Sequence, residues 1–220
     1  QRCSCGGGAY VVSGGEMLAA LKNGFTPYHI AFDGPGKTDA EIVLALEKNI
    51  FAFNVESLEE IKVISSFASQ LGKTAKIFIR VNPDVDAKSH PYISTGLKQN
   101  KFGVSLTEAH EVFRQAAQQP NIQLIGLHVH IGSQITELSP FLEAAESTVK
   151  FIAEMKAEGI QLKYLNFGGG QGIQYHNVIR HPLLVPDTQD DEKRNIPSLA
   201  EFINSALPSL AKSGLKLVFE

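Results

Sequence analysis

The chain has 220 residues, 43% of them hydrophobic, enough to bury one complete core in a single domain. A formal net charge of −3 leaves no basic footprint for nucleic acid or an anionic membrane, and no apolar run approaches the ~20 residues of a membrane span. The amino end, Gln1-Arg2-Cys3-Ser4-Cys5-Gly6-Gly7-Gly8, is polar and glycine-rich, unlike a signal peptide. Its 2 cysteines are too few for a disulfide framework and fit a reducing cytoplasm. A lone Cys-x-Cys also falls short of a four-ligand zinc site.

Along the chain, short β-rich runs alternate with amphipathic helical stretches. Strands are expected at Ala9–Ser13, Tyr28–Asp33, Phe51–Val55, Lys76–Asn82, Ile125–Ile131, Tyr164–Phe167 and Lys216–Phe219. Thr38 or Asp39 caps a helix over Glu41–Lys48, and Ser57 with Glu60 forms a capping box for a helix to Leu71. Leu138–Glu158 carries an apolar stripe of Phe141, Leu142, Ala145, Val149, Ile152 and Met155, read as packing surface. A last helix, Leu199–Lys212, is expected to break at Pro208. Tyr175–Ile196, with its His-Pro, Val-Pro and Asp-Asp-Glu-Lys-Arg clusters, reads as an exposed insertion. Repeated βα units predict a parallel sheet. A closed barrel needs eight strands, so on the barrel reading one is missing from residues 1–220.

Several strand tips carry chemistry. Gly168-Gly169-Gly170 follows a strand, where backbone N–H groups can converge on an anion without interference from Cβ atoms. Ile173 stands where a dinucleotide fingerprint wants its last glycine, which disfavours a Rossmann site. His128 and His130 lie two apart on a strand and so share a face. That pair suits two metal ligands, an aromatic surface for a flat cofactor, or a hydrogen-bonded core. Gly132-Ser133 directly after it favours a phosphate over a metal, and the spacing offers no third and fourth acidic ligand. Asp33-Gly34-Pro35-Gly36-Lys37-Thr38 is not a P-loop, since Ala31 occupies the first glycine position; it reads as a βα turn with a helix cap. Arg80 ends an apolar strand and needs an anionic partner, either in a structural ion pair or at the barrel mouth. Thr95–Val104 reads as a loop over the site.

In this order, the motifs resemble the barrel domain of the fold-type III pyridoxal-phosphate decarboxylases, and most closely the diaminopimelate decarboxylases. The resemblance rests on Val11-Val12-Ser13-Gly14-Gly15-Glu16, Gly36-Lys37-Thr38, Phe53-Asn54-Val55-Glu56-Ser57, Arg80-Val81-Asn82-Pro83, Lys101-Phe102-Gly103, His130-Ile131-Gly132-Ser133-Gln134 and the triple glycine. It implies a (β/α)8 TIM-type barrel, present here from its second strand onward, and pyridoxal 5′-phosphate as cofactor. By position, His130 would stack on the pyridine ring, and Ser133 with Gly168, Gly169 and Gly170 would hold the phosphate. Glu220 would pair with the ring nitrogen, and Arg80 would support the pocket.

The resemblance also implies a small amino-acid substrate, a cytoplasmic homodimer and conversion of meso-diaminopimelate to L-lysine. The family's Tyr-Ala-x-Lys-Ala segment with the cofactor-bearing lysine is not in this chain, nor are the Pro-Gly-Arg after Glu220 and the Cys-Glu-Ser motif of a further β domain. A fragment unable to attach its cofactor is therefore expected. Tyr10 also replaces the Asp that usually precedes Val-Val-Ser. Three other readings stay open: an arginine, ornithine or carboxynorspermidine decarboxylase, a lysine-less homologue that regulates a true decarboxylase, and a metal-dependent barrel hydrolase using His128 and His130.

Overall fold

The computed structural model describes residues 6–85, 102–173 and 196–220. Cys3, Cys5, residues 95–101 of the loop expected over Thr95–Val104, and nearly all of the insertion expected over 175–196 lie outside them.

Among the described residues eight strands and six α-helices follow in chain order. The strands are β1 (Ala9–Val11), β2 (Ile30–Phe32), β3 (Ala52–Val55), β4 (Ala75–Asn82), β5 (Val104–Ser105), β6 (Ile122–His128), β7 (Tyr164–Asn166) and β8 (Lys216–Val218). The helices are α1 (Gly14–Lys22), α2 (Asp39–Lys48), α3 (Leu58–Gln70), α4 (Leu106–Gln118), α5 (Ser139–Ala157) and α6 (Leu199–Leu210). All seven expected strands are present. The addition is β5, whose two residues pair with Val81 and Asn82 at the end of β4. A two-residue strand leaves no periodic signal to read. Strand β6 also begins three residues earlier than expected, because its pairing with β4 starts at Ile122 opposite Ala75.

All pairings are parallel, in the order β1-β2-β3-β4-β6-β7-β8. In a flat sheet β1 and β6 would stand four strand spacings apart, about 19 Å. Instead the rings of Tyr10 on β1 and His128 on β6 lie with centroids 6.3 Å apart. The sheet is therefore curled into a partial TIM-type barrel. Among the described residues β1 and β8 do not pair, and the barrel is open between them.

Register determines what faces the interior. Directly paired residues point to the same side of a sheet, as do residues two apart on one strand. One row crosses the curl as Asn54, Phe78, Gly126 and Tyr164. Phe51, Phe78 and Tyr164 pack there with ring centroids 5.3–6.0 Å apart and close the floor. The next row is Arg80, His128 and Asn166, all buried, so a polar layer lies on that aromatic floor. The alternate residues, such as Ile77, Ile79 and Leu127, enter the main core beneath the helices.

The helices obey their caps, with three departures from expectation. Thr38 caps α2, in a full capping box with Glu41. Ser57 caps α3 through the Glu60 amide, but Glu60 does not return the bond; its carboxylate takes the Glu56 amide and the Lys37 ammonium instead. The buried stripe of α5 runs through Phe141, Ala144, Ala145, Thr148, Phe151, Ile152 and Met155, while Leu142 is turned outward. Helix α6 continues through Pro208 to Leu210. Asn204, four residues before the proline, is exposed, so water can satisfy the carbonyl that loses its N–H partner.

Candidate active site at the barrel mouth

The carboxyl ends of the strands converge on a polar mouth. Here Glu220, two residues beyond β8, meets both histidines: its carboxylate lies 3.3 Å from His128 Nε2 and 3.8 Å from His130 Nδ1. His128 is fully buried, and the His130 side chain is 26% exposed, facing the opening. The shared face expected of the pair is thus present, and the missing third acidic group is Glu220. Sequence spacing could not supply it, because it arrives from the end of β8, two strands away from His128 in the sheet and 92 residues away in the chain.

Asn166 orients Glu220. Its Nδ2 donates to Glu220 Oε1 at 2.7 Å, and its Oδ1 accepts the Gly168 amide at 2.9 Å. One buried side chain therefore couples the carboxylate to the start of the glycine turn. The Glu220 amide donates in turn to the Gly168 carbonyl at 2.9 Å. This role of Asn166 was not legible beforehand.

The glycine turn is built for close approach. Gly168 has φ +64°, and a Cβ there would stand 2.5 Å from the Val129 carbonyl oxygen and 2.9 Å from His130 Nδ1. Gly170 has φ +98°, and a Cβ there would collide with the Gly132 carbonyl oxygen. The two loops are stitched together: the Ile135 amide donates to Gly170 O at 2.9 Å and the Gly172 amide to Ile135 O at 2.8 Å. The amides of Gly132, Ser133 and Gly170 make no hydrogen bond among the described residues. Unengaged N–H groups on two abutting loops, one carrying the exposed Ser133 hydroxyl, suit a phosphate. The sequence-predicted set of His130, Ser133, Gly168, Gly169, Gly170 and Glu220 is therefore brought together.

Arg80 lies deeper on the same mouth. Its Nη1 bonds Glu56 Oε1 at 3.0 Å and sits 3.8 Å from Asp33 Oδ2, and its guanidinium carbon lies 5.3 Å from the Phe102 ring centroid. The other oxygen of Glu56 accepts the Gly103 amide at 3.1 Å. So Arg80 makes a buried ion pair and holds the chain after residue 101 over the mouth. Its Nε has no hydrogen-bond partner among the described residues.

Tyr10 and Asp33 complete the wall. Asn54 Nδ2 donates to the Tyr10 hydroxyl at 3.4 Å, and Asp33 Oδ1 lies 3.8 Å from His128 Nδ1. Burial pushes the Tyr10 hydroxyl far above its ordinary value, and the Glu220 and Asp33 charges add to the rise, so it stays neutral. Burial also lowers His130; Glu220 opposes that shift, while Arg80 and His128 reinforce it. A neutral imidazole is the form that lies comfortably against an aromatic ring.

Lys37 takes no part in the mouth. Its side chain is 1% exposed and its ammonium is held by Gly34 O at 2.7 Å, Asn54 O at 2.6 Å and Glu60 Oε1 at 2.6 Å. The reading of this segment as a turn rather than a P-loop agrees with that arrangement.

Residues 4–220 match the family described as pyridoxal-dependent decarboxylase, pyridoxal binding domain. A diaminopimelate decarboxylase of Neisseria meningitidis serogroup A is 45% identical over 217 residues, covering 99% of this chain and 50% of that protein. One from Haemophilus influenzae is 44% identical over 211 residues, covering 96% of this chain and 51% of that protein. The crystal structure of the Helicobacter pylori diaminopimelate decarboxylase complexed with L-lysine superposes with a TM-score of 0.84 at 41% identity, over 97% of this chain and 50% of that one. The chain thus spans about half the length of the curated relatives it matches.

Proposed function

This chain belongs to the pyridoxal-dependent decarboxylase family, and we propose that it is the cofactor-binding barrel of a diaminopimelate decarboxylase, which releases CO2 from meso-diaminopimelate to give L-lysine. The observation that carries the reading is the convergence, on one mouth, of the Gly170 amide of the glycine turn with the Gly132 and Ser133 amides of the abutting loop, all unengaged among the described residues, the His130 ring and the Asn166-held carboxylate of Glu220. When bound, pyridoxal phosphate supplies an electron sink for the pair left behind as CO2 departs.

The chain's own residues then have separable tasks. The amides of Gly132, Ser133 and Gly170 hold the phosphate and fix the ring's place. The neutral His130 imidazole covers one face of the ring. Glu220, kept in position by Asn166, sets an acceptor beside the ring nitrogen and so favours its protonated form. Arg80 would support the pocket, its charge matched by Glu56 and Asp33. The buried layer beneath keeps water from the floor of the mouth. The substrate is a small amino acid, and the whole protein acts as a cytoplasmic homodimer; the resemblance to diaminopimelate decarboxylases supports both. No helix among the described residues is long and apolar enough to cross a membrane.

The test is an assay of the whole protein that carries this segment, measuring CO2 and L-lysine formed from meso-diaminopimelate, with arginine and ornithine as competitors. Glu220→Gln should lower kcat by about 100-fold or more, the range for loss of a preorganised charge partner. Turnover of arginine or ornithine in preference to meso-diaminopimelate would overturn the substrate assignment.

A further inference from the structure

At the mouth, His130 and Glu220, which the pyridoxal reading uses, stand beside His128, which it does not. We propose that His128, His130 and Glu220 form a binding site for a divalent transition-metal cation of the zinc class, open when no cofactor ring covers it.

Geometry is the first support. One ligand atom from each of the three residues lies within 4.8 Å of the others. Zinc bonds to nitrogen and oxygen run about 2.0–2.1 Å, so neighbouring ligands in a tetrahedron stand about 3.3 Å apart. The His128 Nε2–Glu220 Oε1 separation is already 3.3 Å and the His130 Nδ1–Glu220 Oε2 separation 3.8 Å. Closing the remainder requires the His130 ring to move; its side chain is 26% exposed, and its Nδ1 would exchange the Gly169 amide, now 3.5 Å away, for the cation. Three protein ligands leave a fourth position toward the opening, for water or an incoming ligand.

The second support is independent. His128 is completely buried, yet among the described residues neither ring nitrogen has a hydrogen-bond partner. A buried imidazole in that state lacks the interactions that ordinarily compensate its desolvation. One cation on Nε2 satisfies it. On the other side, Asp33 Oδ1 lies 3.8 Å from Nδ1, close to the carboxylate–histidine–metal arrangement that fixes the tautomer of a ligating histidine. Asn166 likewise supports Glu220 from behind.

Charge is the third. Three carboxylates, Asp33, Glu56 and Glu220, share this mouth with one guanidinium, that of Arg80. Among the described residues Arg80 pairs with both Glu56, at 3.0 Å, and Asp33, at 3.8 Å, so one guanidinium faces two carboxylates, while the Glu220 carboxylate lies against the two imidazoles.

The inference stands apart from the pyridoxal reading. The 220-residue chain is stripped with a chelator, dialysed against Zn²⁺, and titrated separately with Co²⁺ as a spectroscopic probe. The expected result is one zinc per chain and the strong visible absorption of a low-symmetry Co²⁺ site. His130→Gln should abolish stoichiometric binding, and Asp33→Asn should weaken it by about 10–100-fold, as loss of an outer-shell carboxylate does. Replacing Cys3 and Cys5 with serine should leave it unchanged. Circular dichroism establishes that each variant is folded; His130, being partly exposed, is the decisive position if His128→Gln unfolds.

Three outcomes overturn the proposal: no stoichiometric zinc, zinc retained in His130→Gln, or zinc lost with the cysteines. Binding of pyridoxal phosphate is measured on the same preparations. A chain that takes zinc but not pyridoxal phosphate refutes the functional reading alone, and the reverse refutes only the metal site.

Discussion

Lys37 offers a sharp test of what is structural at the mouth and what is functional. Its ammonium is 1% exposed and satisfies Gly34 O, Asn54 O and Glu60 Oε1 at once. Lys37→Met removes that charge and leaves the Glu60 carboxylate, only 15% exposed, without its partner. Burial already raises the Glu60 carboxyl above its ordinary value, against the pull of Lys37, so the orphaned carboxylate is poorly tolerated. Breaking a buried pair on one side costs about 3–5 kcal/mol. At about 2–4 °C per kcal/mol for a chain of this size, Tm should fall by roughly 6–20 °C.

The double variant Lys37→Met with Glu60→Gln removes the unpaired charge and keeps an acceptor for the Glu56 amide. It should recover a large share of that loss. Urea denaturation followed by circular dichroism measures both, and fluorescence titration with pyridoxal phosphate runs alongside. The folded double variant should bind the cofactor as the parent does. Two results refute the reasoning: a single variant within about 1 kcal/mol of the parent, or a stable double variant that has lost the cofactor. The latter would make Lys37 a ligand after all.

Other perturbations follow from the same geometry. Gly168→Ala forces a left-handed backbone at φ +64° and drives a Cβ against Val129 O; strain and overpacking together should cost about 2–5 kcal/mol, with weakened pyridoxal phosphate affinity, both read by denaturant melts and titration. Arg80→Met leaves Glu56 and Asp33 buried without a cation, and a loss of about 3–5 kcal/mol in urea melts is expected, partly restored by adding Glu56→Gln. The His130 imidazole is lowered from its ordinary 6.5 by burial, so below that pH the unfolded chain takes up a proton that the folded chain refuses. Stability should therefore fall as pH drops from 6.5 toward the lowered folded value, with a slope of at most about 1.4 kcal/mol per pH unit. His130→Asn should flatten that part of the curve in urea melts across pH.

Local chemistry made much of this legible in the sequence. The βα alternation, the Thr38 cap and the glycine turn each depend on neighbours within a few residues, and each is where the residues predict. The partial barrel was readable because seven apolar runs ended in polar tips. What escaped depended on register and curl. Nothing near His128 in the chain announces Glu220; the two meet because β6, β7 and β8 pair so that His128, Asn166 and Val218 share a row. Asp33 was read only as part of a rejected P-loop, yet it lies between Arg80 and His128. Tyr10, noted as a departure, packs edge-on against His128. Glu60 left its capping box incomplete because a buried lysine from another turn claimed its carboxylate. Each of these is a contact between side chains far apart in sequence, which periodicity does not encode.

The central claim is that one mouth holds the phosphate on the glycine turn and the ring on His130 and Glu220. A crystal structure of this chain soaked with pyridoxal 5′-phosphate tests it most directly. The expected density places the phosphate against the amides of Gly132, Ser133 and Gly170, the ring against His130, and the ring nitrogen at the Glu220 carboxylate. A phosphate bound elsewhere, or a ring turned with its nitrogen away from Glu220, would contradict it.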